Sequence, residues 1–545
     1  MRQLSCIMMT TTPPVQLVWF KRDLRLEDHA PLYLASQQGP CIFLYVFEPE
    51  MMQQPDFSAI HGRFILESLK VLAQQIRLLG GKLLVLTGTI TQVLTLIHQQ
   101  VPFTTVWSHQ ETGNWATYQR DIAVGSWLKA KGIAWEEVPQ TGVIRKLKTR
   151  DGWAEQWQHR MNQPLYPIPT ALRSPVLDMA ILPLATHSNL GFGQLEPNRT
   201  MQKGGSVIAL KTLQTFLTHR GGTYRQHMSS PVTGEHACSR LSPYLAWGNI
   251  SVKQVYQATK QQEQYLKTLP NTPYRKQWLQ SLQSFEKRLY WHCHFMQKLE
   301  SQPSLEFENM NRAFDGLRET TPNPVLFEAW KQGKTGYPFV DACMRYLIQT
   351  GWLNFRMRAM LVSFATHYLW LHWQQPAHYL ATLFLDYEPG IHYPQFQMQS
   401  GVTGINATRI YSPYKQSADQ DPTGSFIAQY VPELAHIPAP YIHQPALLPP
   451  LLADTLNFQL GRDYPFPIVD NHQAYQLAKE RLFTWKQKPT VKATAKRVLE
   501  QHGSRNRTNT GRTKHGKRTK KGTVPEEQCL QQQLPFSQES VDRDD

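Results

Sequence analysis

The sequence predicts two packed units of different character: a doubly wound α/β domain over residues 15–144 and a mostly α-helical domain over 206–485. A long linker (145–205) joins them, and a disordered basic tail (486–545) follows. Three observations predict this. The first 144 residues alternate short apolar runs with stretches of helical period, the signature of strand–helix repetition. After Gly205 long helical patterns recur without a convincing strand. The 545 residues also exceed what one hydrophobic core organises.

In chain order, VQLVWF (15–20) and CIFLYVF (41–47) are short runs rich in β-branched and aromatic residues, as buried parallel strands are. HGRFILESLKVLAQQIRLLGG (61–81) has helical spacing and stops at a glycine pair. KLLVLTG (82–88), TTVWSHQ (104–110) and IAWEEVP (133–139) complete the strands, with helical sequence between them. Ligands of such sheets sit beyond the carboxyl ends of the strands, here including Trp19–Asp23 and Ser108–Glu111. Residues 145–205, rich in Pro, Gly, Asn and Ser, predict an extended linker. Helices are expected at 206–220, 251–266, 273–300, 338–350, 352–372 and 472–487.

The chain carries a net charge of +16, which favours a polyanionic partner. Residues 486–521 hold 13 Lys/Arg against Glu500 alone, a net +12, while 522–545 carry a net −5. The first 485 residues are therefore basic by themselves, at +9. The basic run reads either as a nonspecific DNA contact or as a solvated tail. Six scattered cysteines, Cys6, Cys41, Cys238, Cys293, Cys343 and Cys529, have no metal-ligand spacing, so no metal is expected and a reducing compartment fits. No apolar run reaches the ~18 residues of a spanning helix, and no secretory leader is visible. The expectation is a cytoplasmic monomer without a membrane partner. P-loop, G-x-G-x-x-G and G-x-S-x-G motifs are missing, which disfavours nucleotide hydrolases, Rossmann dehydrogenases and lipase-type enzymes.

Three stretches carry chemistry. VWFKRDLRLEDHAPL (18–32) is a strand ending in six charged residues, either an interdomain ion-pair network or a ligand rim. TYRQHMSSPVTGEHACSRLSPYLAWGNIS (223–251) brings small hydroxyl residues to a helix entry, where free amides suit a diphosphate. In KTGYPFVDACMRYLIQTGWLNFRMRAMLVSFATHYLWLHW (334–373), Arg356 and Arg358 look buried, and Asp386 in the following LDYEPGIHYPQF segment is the candidate carboxylate for Arg358.

Together these stretches resemble the photolyase/cryptochrome flavoprotein family over residues 15–485, in the family's order of antenna domain, linker and FAD domain. The resemblance implies an FAD bound through Tyr224, Cys238, Ser239, Arg240, Leu241 and Ser242 at the phosphates. Arg358 and Asp386 match the pair beside the isoalloxazine ring, with Tyr387 and Glu388 next in the same segment. It also implies DNA carrying pyrimidine dimers as partner. The implied activity is that of a deoxyribodipyrimidine photo-lyase, a carbon–carbon lyase splitting cyclobutane dimers with an electron from light-excited reduced FAD. A blue-light photoreceptor of the cryptochrome type is the alternative.

The sequence departs from the pattern at three places. RLYWHCHF (288–295) puts Trp291 where a Trp stacks on the lesion, but Arg288 where the family has a Glu; Glu286 is the nearby carboxylate. GWLNFRMR offers Asn354 and then Phe355 where the family's Asn is expected. Residues 386–408 contain no Trp to stand beside the flavin. Trp373 matches the middle Trp of the electron-transfer chain, Trp330 and Trp370 are further candidates, and Tyr393 is the expected detour. His292 and His294 read as rim or core histidines. An antenna chromophore, folate or deazaflavin, is implied near WSHQETGNW (107–115), with Glu111 the chosen contact.

Overall fold

The computed structural model describes residues 13–192, 199–406, 409–439 and 441–504. Five strands, β1 (Gln16–Phe20), β2 (Cys41–Phe47), β3 (Leu83–Thr87), β4 (Thr105–His109) and β5 (Ala134–Val138), form one parallel sheet in the order β3-β2-β1-β4-β5. Every residue of β1 and β2 is buried, which is why both read as almost wholly apolar runs. The helices α1 (Ala30–Gln38), α2 (Ala59–Leu78), α3 (Ile90–Gln100) and α4 (Trp115–Lys131) connect the strands. α2 opens with a Ser58/His61 capping box and buries Ile60, Phe64, Leu69, Leu72 and Ile76 on one face. The chain leaves β1 toward β2 and returns to β4 on its other side, so the topological switch point lies between β1 and β4.

The segment expected to be an extended linker contains α5 (Trp153–Asn162), which buries Trp153, Trp157 and Met161 at i, i+4, i+8. The helical domain contributes α6 (Ser206–Thr215), α7 (Ser242–Ala246), α8 (Val252–Thr268), the long α9 (Pro273–Ser301), α10 (Pro338–Thr350), α11 (Phe355–Ser363), α12 (Pro389–Gln399) and α13 (Asn471–Gln487). The helix expected over 352–372 is shorter. α11 starts only after the extended Asn354, residues 364–368 widen into a π turn, and Trp370 takes a positive φ of 53° beyond the helix end. None of the described helices is long and apolar enough to cross a membrane.

The tail needs a correction. Pro489–His502 forms a further helix, α14, whose Val491, Val498 and His502 are buried against the body. Thr494 Oγ1 donates to Asn311 Oδ1 at 2.7 Å, and His502 Nε2 lies 2.7 Å from Gln302 Oε1. An apolar stripe at positions 491, 495 and 498 is concealed among basic residues, so net charge alone misleads there. The rest of the expected tail, 505–545, lies outside the described residues.

The two domains meet at the end of β1. Gly248 has φ +67°, and a Cβ there would stand 2.2 Å from the Arg22 carbonyl oxygen, so the close approach requires glycine. Leu24 N donates to Trp247 O at 3.3 Å, and the buried Arg25 donates to Gly248 O at 3.1 Å. Asp28 completes the seam, accepting from Ser251 Oγ at 2.6 Å and pairing with Lys253 Nζ at 2.7 Å.

Candidate functional site

The helical domain holds a cavity of about 1470 Å³ of empty space, counted out to its open mouth. One face of α9 supplies Phe285, Arg288, Leu289, Trp291, His292 and Phe295; α12 supplies Ile391, Gln395 and Met398 at i, i+4, i+7. The loop before α7 supplies Cys238, Ser239 and Arg240, the first residue of α7 supplies Ser242, and residues 352–356 with Arg358 and Asp386 close the site.

Local structure fixes the polar groups. Arg240 adopts φ +60°, with its guanidinium 4.1 Å from the Trp352 ring centroid and Nε 3.1 Å from Gln202 Oε1. Arg220 braces the same loop from behind, donating to Cys238 O at 2.5 Å and Ser239 O at 3.2 Å. The Arg358 guanidinium grips Asp386 through two bonds, Nη1–Oδ1 at 3.0 Å and Nη2–Oδ2 at 2.7 Å, while its Nε donates to Leu353 O at 2.6 Å. Asn354 Nδ2 donates to Met228 O and Ser229 O, leaving the buried Oδ1 without a partner. Burial pushes the Tyr224 phenol and the Cys238 thiol each up to about 12, so both stay protonated. Burial alone would lower His292, but the Glu388 carboxylate at 2.9 Å outweighs it and holds the imidazole up at about 10.

A second cavity, of about 790 Å³ of empty space, opens beyond the carboxyl ends of β1, β2 and β4, beside the switch point. Tyr45, Phe47, Phe57, Trp247 and Tyr387 give it aromatic walls; Lys21, Arg22, Glu48, Asp56, Glu111 and Arg120 are its charged lining. Glu111 Oε2 lies 2.5 Å from Arg120 Nη2 and 3.9 Å from Lys21 Nζ. Burial raises Glu48 to about 7 against the pull of Arg120. Asp56 accepts from Asn114, from the Tyr387 hydroxyl and, at 3.3 Å, from Tyr393.

Comparisons with known proteins match both parts of the chain. A family model described as DNA photolyase matches residues 16–152, and one described as the FAD binding domain of DNA photolyase matches 284–484. The chain is similar to a cryptochrome DASH of Synechocystis sp., 29% identical over 504 residues, covering 87% of this chain and 98% of the relative. It is also 28% identical to a deoxyribodipyrimidine photo-lyase of Halobacterium salinarum, covering 84% and 97%. Among solved structures, a bacterial class III photolyase from Agrobacterium tumefaciens superposes with a TM-score of 0.77 at 25% identity, covering 89% of this chain and all of that one. The chain belongs to the photolyase/cryptochrome family.

Within this photolyase/cryptochrome chain the expected site residues divide. Tyr224, Cys238, Ser239, Arg240, Ser242, Arg288, Trp291, Arg358 and Asp386 all line the helical-domain cavity. Leu241 does not; it is a core residue, 1% exposed, that seats α7. Glu286 is corrected: it points off the opposite side of α9 and pairs with Lys260 Nζ at 2.6 Å. Two residues before Arg288 is about 200° around a helix, so the two side chains cannot share a face. Tyr387 and Glu388 are corrected as well. The irregular chain after Asp386 sends Tyr387 to the second cavity and Glu388 to the domain interface, where it meets His292.

Trp373 and Trp330 are fully buried and line neither cavity. Trp373 donates to Asn309 Oδ1 at 2.8 Å and lies 6.5 Å from the Tyr393 ring; Trp330 packs on Phe327 and Tyr379. Tyr393 faces Asp56 rather than the α9 cavity. Glu111 lines the second cavity but is held by Arg120. The charged cluster at 21–28 serves both purposes expected of it as alternatives: Lys21 and Arg22 line the second cavity, while Arg25 and Asp28 tie the domains. Asp23 accepts from His109 Nδ1 at 2.7 Å and lies 3.0 Å from His29 Nε2, knotting the ends of β1 and β4. Arg220, Gln202 and Asp56 are site-supporting residues the sequence reading missed.

Proposed function

We propose that the protein splits cyclobutane pyrimidine dimers in DNA under blue light, using FAD held in the α9–α12 cavity. The observation that carries this is one cavity joining an oriented arginine, Arg358 on Asp386, to a phosphate-type lining of Ser239, Arg240 and Ser242 and an aromatic wall at Trp291. The cavity is open at its mouth, so a base extruded from DNA can enter over the cofactor. The donor set fits the cofactor: Ser239, Ser242, Arg240 and Tyr224 suit a diphosphate, and the unpaired Asn354 Oδ1 suits a ring N–H. Bound reduced FAD supplies, on absorbing light, the electron that opens the cyclobutane ring.

The chain's own residues bind, orient and exclude water. Asp386 fixes the Arg358 guanidinium so that a permanent positive charge and two N–H directions stand ready before any ligand enters. Phe285, Leu289, Phe295, Leu353 and Ile391 give the wall an apolar stretch, which helps keep water from the reacting pair. Trp291 offers a flat face on which an extruded dimer stacks. The aromatic second cavity at the switch point fits a planar antenna chromophore such as a folate or deazaflavin, with Glu111 and Arg120 as polar contacts.

One observation favours the alternative, a cryptochrome-type photoreceptor: α12 turns Ile391, Gln395 and Met398 to the cavity, so no aromatic side chain of that helix faces the flavin position. Expression in a bacterium lacking dimer repair separates the two. Repair predicts that blue light after ultraviolet exposure restores survival; the photoreceptor predicts equal survival in light and darkness.

A further inference from the structure

One short segment, residues 384–388 at the entry to α12, touches both cavities. On one side it builds the α9–α12 cavity. The Arg358 guanidinium lies 4.1 Å from the Phe384 ring centroid, Asp386 grips that guanidinium through two bonds, and Glu388 pairs with the cavity residue His292. On the other side its backbone hangs from the second cavity. His61 Nε2 lies 3.0 Å from Phe384 O, Trp247 Nε1 donates to Leu385 O at 2.8 Å, and Arg22 Nη2 donates to Tyr387 O at 2.5 Å. The Tyr387 hydroxyl donates to Asp56. Arg22, Asp56, His61, Trp247 and Tyr387 all line the second cavity, and none of them lines the first. Arg22 also stacks 4.2 Å over the Trp247 ring, and its buried Nε has no hydrogen-bond partner, so an acceptor bound in the second cavity finds a donor there.

We propose that the second cavity is an allosteric site for the flavin cavity: a planar heterocycle bound there tightens FAD through residues 384–388. The inference rests on the proposed readings of both cavities. A ligand that packs on Tyr387 and Trp247 and bonds Arg22 fixes the anchors of the segment. Phe384 and Asp386 are then held where they orient Arg358, so FAD binding no longer bears the cost of ordering that stretch. The coupling is reciprocal, because the factor by which the heterocycle tightens FAD is also the factor by which FAD tightens the heterocycle. It needs no movement of α9 or α12, since the anchored carbonyls and the Asp386 carboxylate belong to adjacent residues.

The test measures the FAD affinity of the FAD-loaded protein with and without a saturating second ligand. Bound and free FAD are separated by ultrafiltration over a dilution series and counted by chromatography, and the same filtrates give the binding of the probe. The probes are 5-formyltetrahydrofolate and 5-deazariboflavin. At least one of them is expected to raise FAD affinity by about fivefold or more. Tyr387→Phe keeps the ring but loses the bond to Asp56, and Arg22→Met loses the bond to the Tyr387 carbonyl; each is expected to bring the factor toward one. A mere loss of stability lowers FAD affinity with and without the probe alike, so the ratio isolates the coupling. A wild-type factor below about twofold with both sites filled, or a factor unchanged in both variants, overturns the coupling. Failure of both probes to bind overturns the chromophore reading of the second cavity, and this inference with it.

Discussion

Replacing Asp386 with Asn separates a structural ion pair from a flavin-orienting one. The carboxylate makes two bonds to Arg358, at 3.0 and 2.7 Å. Asparagine keeps one acceptor but sets its amide N–H₂ against an arginine N–H, leaving the cation with half its partner. A fully buried pair broken on one side costs about 3–5 kcal/mol. Here the Asp386 side chain is 3% exposed but that of Arg358 is 26% exposed, so water recovers part of the loss and about 2–3 kcal/mol is expected. Urea unfolding reads the stability, and flavin absorbance during a dilution series reads cofactor affinity. If the loss falls on the bound state, FAD affinity drops by roughly 30–150-fold. The double variant Arg358→Met/Asp386→Leu completes the argument. Replacing both partners with apolar groups removes the stranded charge, so stability returns to near wild type while FAD binding does not. A double variant that holds FAD like the wild type refutes the orienting role, and an Asp386→Asn protein that keeps both stability and flavin refutes the reasoning altogether.

Trp291→Ala is expected to weaken dark binding of dimer DNA by about tenfold or more with flavin content unchanged, since a base–aromatic stack is worth ~1–3 kcal/mol; a gel-shift titration measures it. Burial, reinforced by the Arg150 charge, lowers Lys298 from 10.5 to about 7, so the folded protein binds fewer protons than the unfolded chain between those values and stability rises with pH across that window. Lys298→Met should therefore stabilise the protein by about 2 kcal/mol near neutral pH, the gain over wild type shrinking toward pH ~10, as urea unfolding at several pH values will show. Photoreduction of the bound flavin by an external thiol should be slow, because α12 turns no aromatic side chain to the cavity, and unchanged in Trp330→Phe, because Trp330 packs on Phe327 and Tyr379 and lines neither cavity. Absorbance under continuous illumination follows it, and a Trp330→Phe protein that loses photoreduction contradicts this reading.

The sheet was legible because β1 and β2 are buried on both faces and written almost wholly in apolar residues. The long motifs likewise located the cavity, since Ser239–Ser242, Arg358 and Asp386 converge there from three separate stretches. What stayed hidden follows from how side chains diverge. Glu286 and Arg288 are neighbours in sequence yet sit on opposite sides of α9, a difference the 3.6-residue period would have exposed. Asp386, Tyr387 and Glu388 have no period to follow, because the chain is irregular there, and each serves a different place: α9 cavity, second cavity and domain interface. Arg220 and Gln202 act through backbone and side-chain contacts to the 238–240 loop, which leave no pattern in the sequence. α14 was concealed because it lies at the head of the basic run 486–521, whose net charge of +12 masks its apolar positions, although Val491 and Val498 are buried.

The central claim is that a reduced flavin in the α9–α12 cavity drives dimer splitting by light. The most direct measurement incubates the purified protein, its flavin chemically reduced, with an oligonucleotide carrying one thymine dimer, in blue light and in darkness, and counts intact dimers by chromatography. Chemical reduction bypasses the cavity's lack of a flavin-facing aromatic on α12. The account predicts dimer loss in the light with reduced flavin, and none in darkness or with oxidised flavin. Intact dimers in the light, with reduced FAD bound and DNA in the complex, would contradict it.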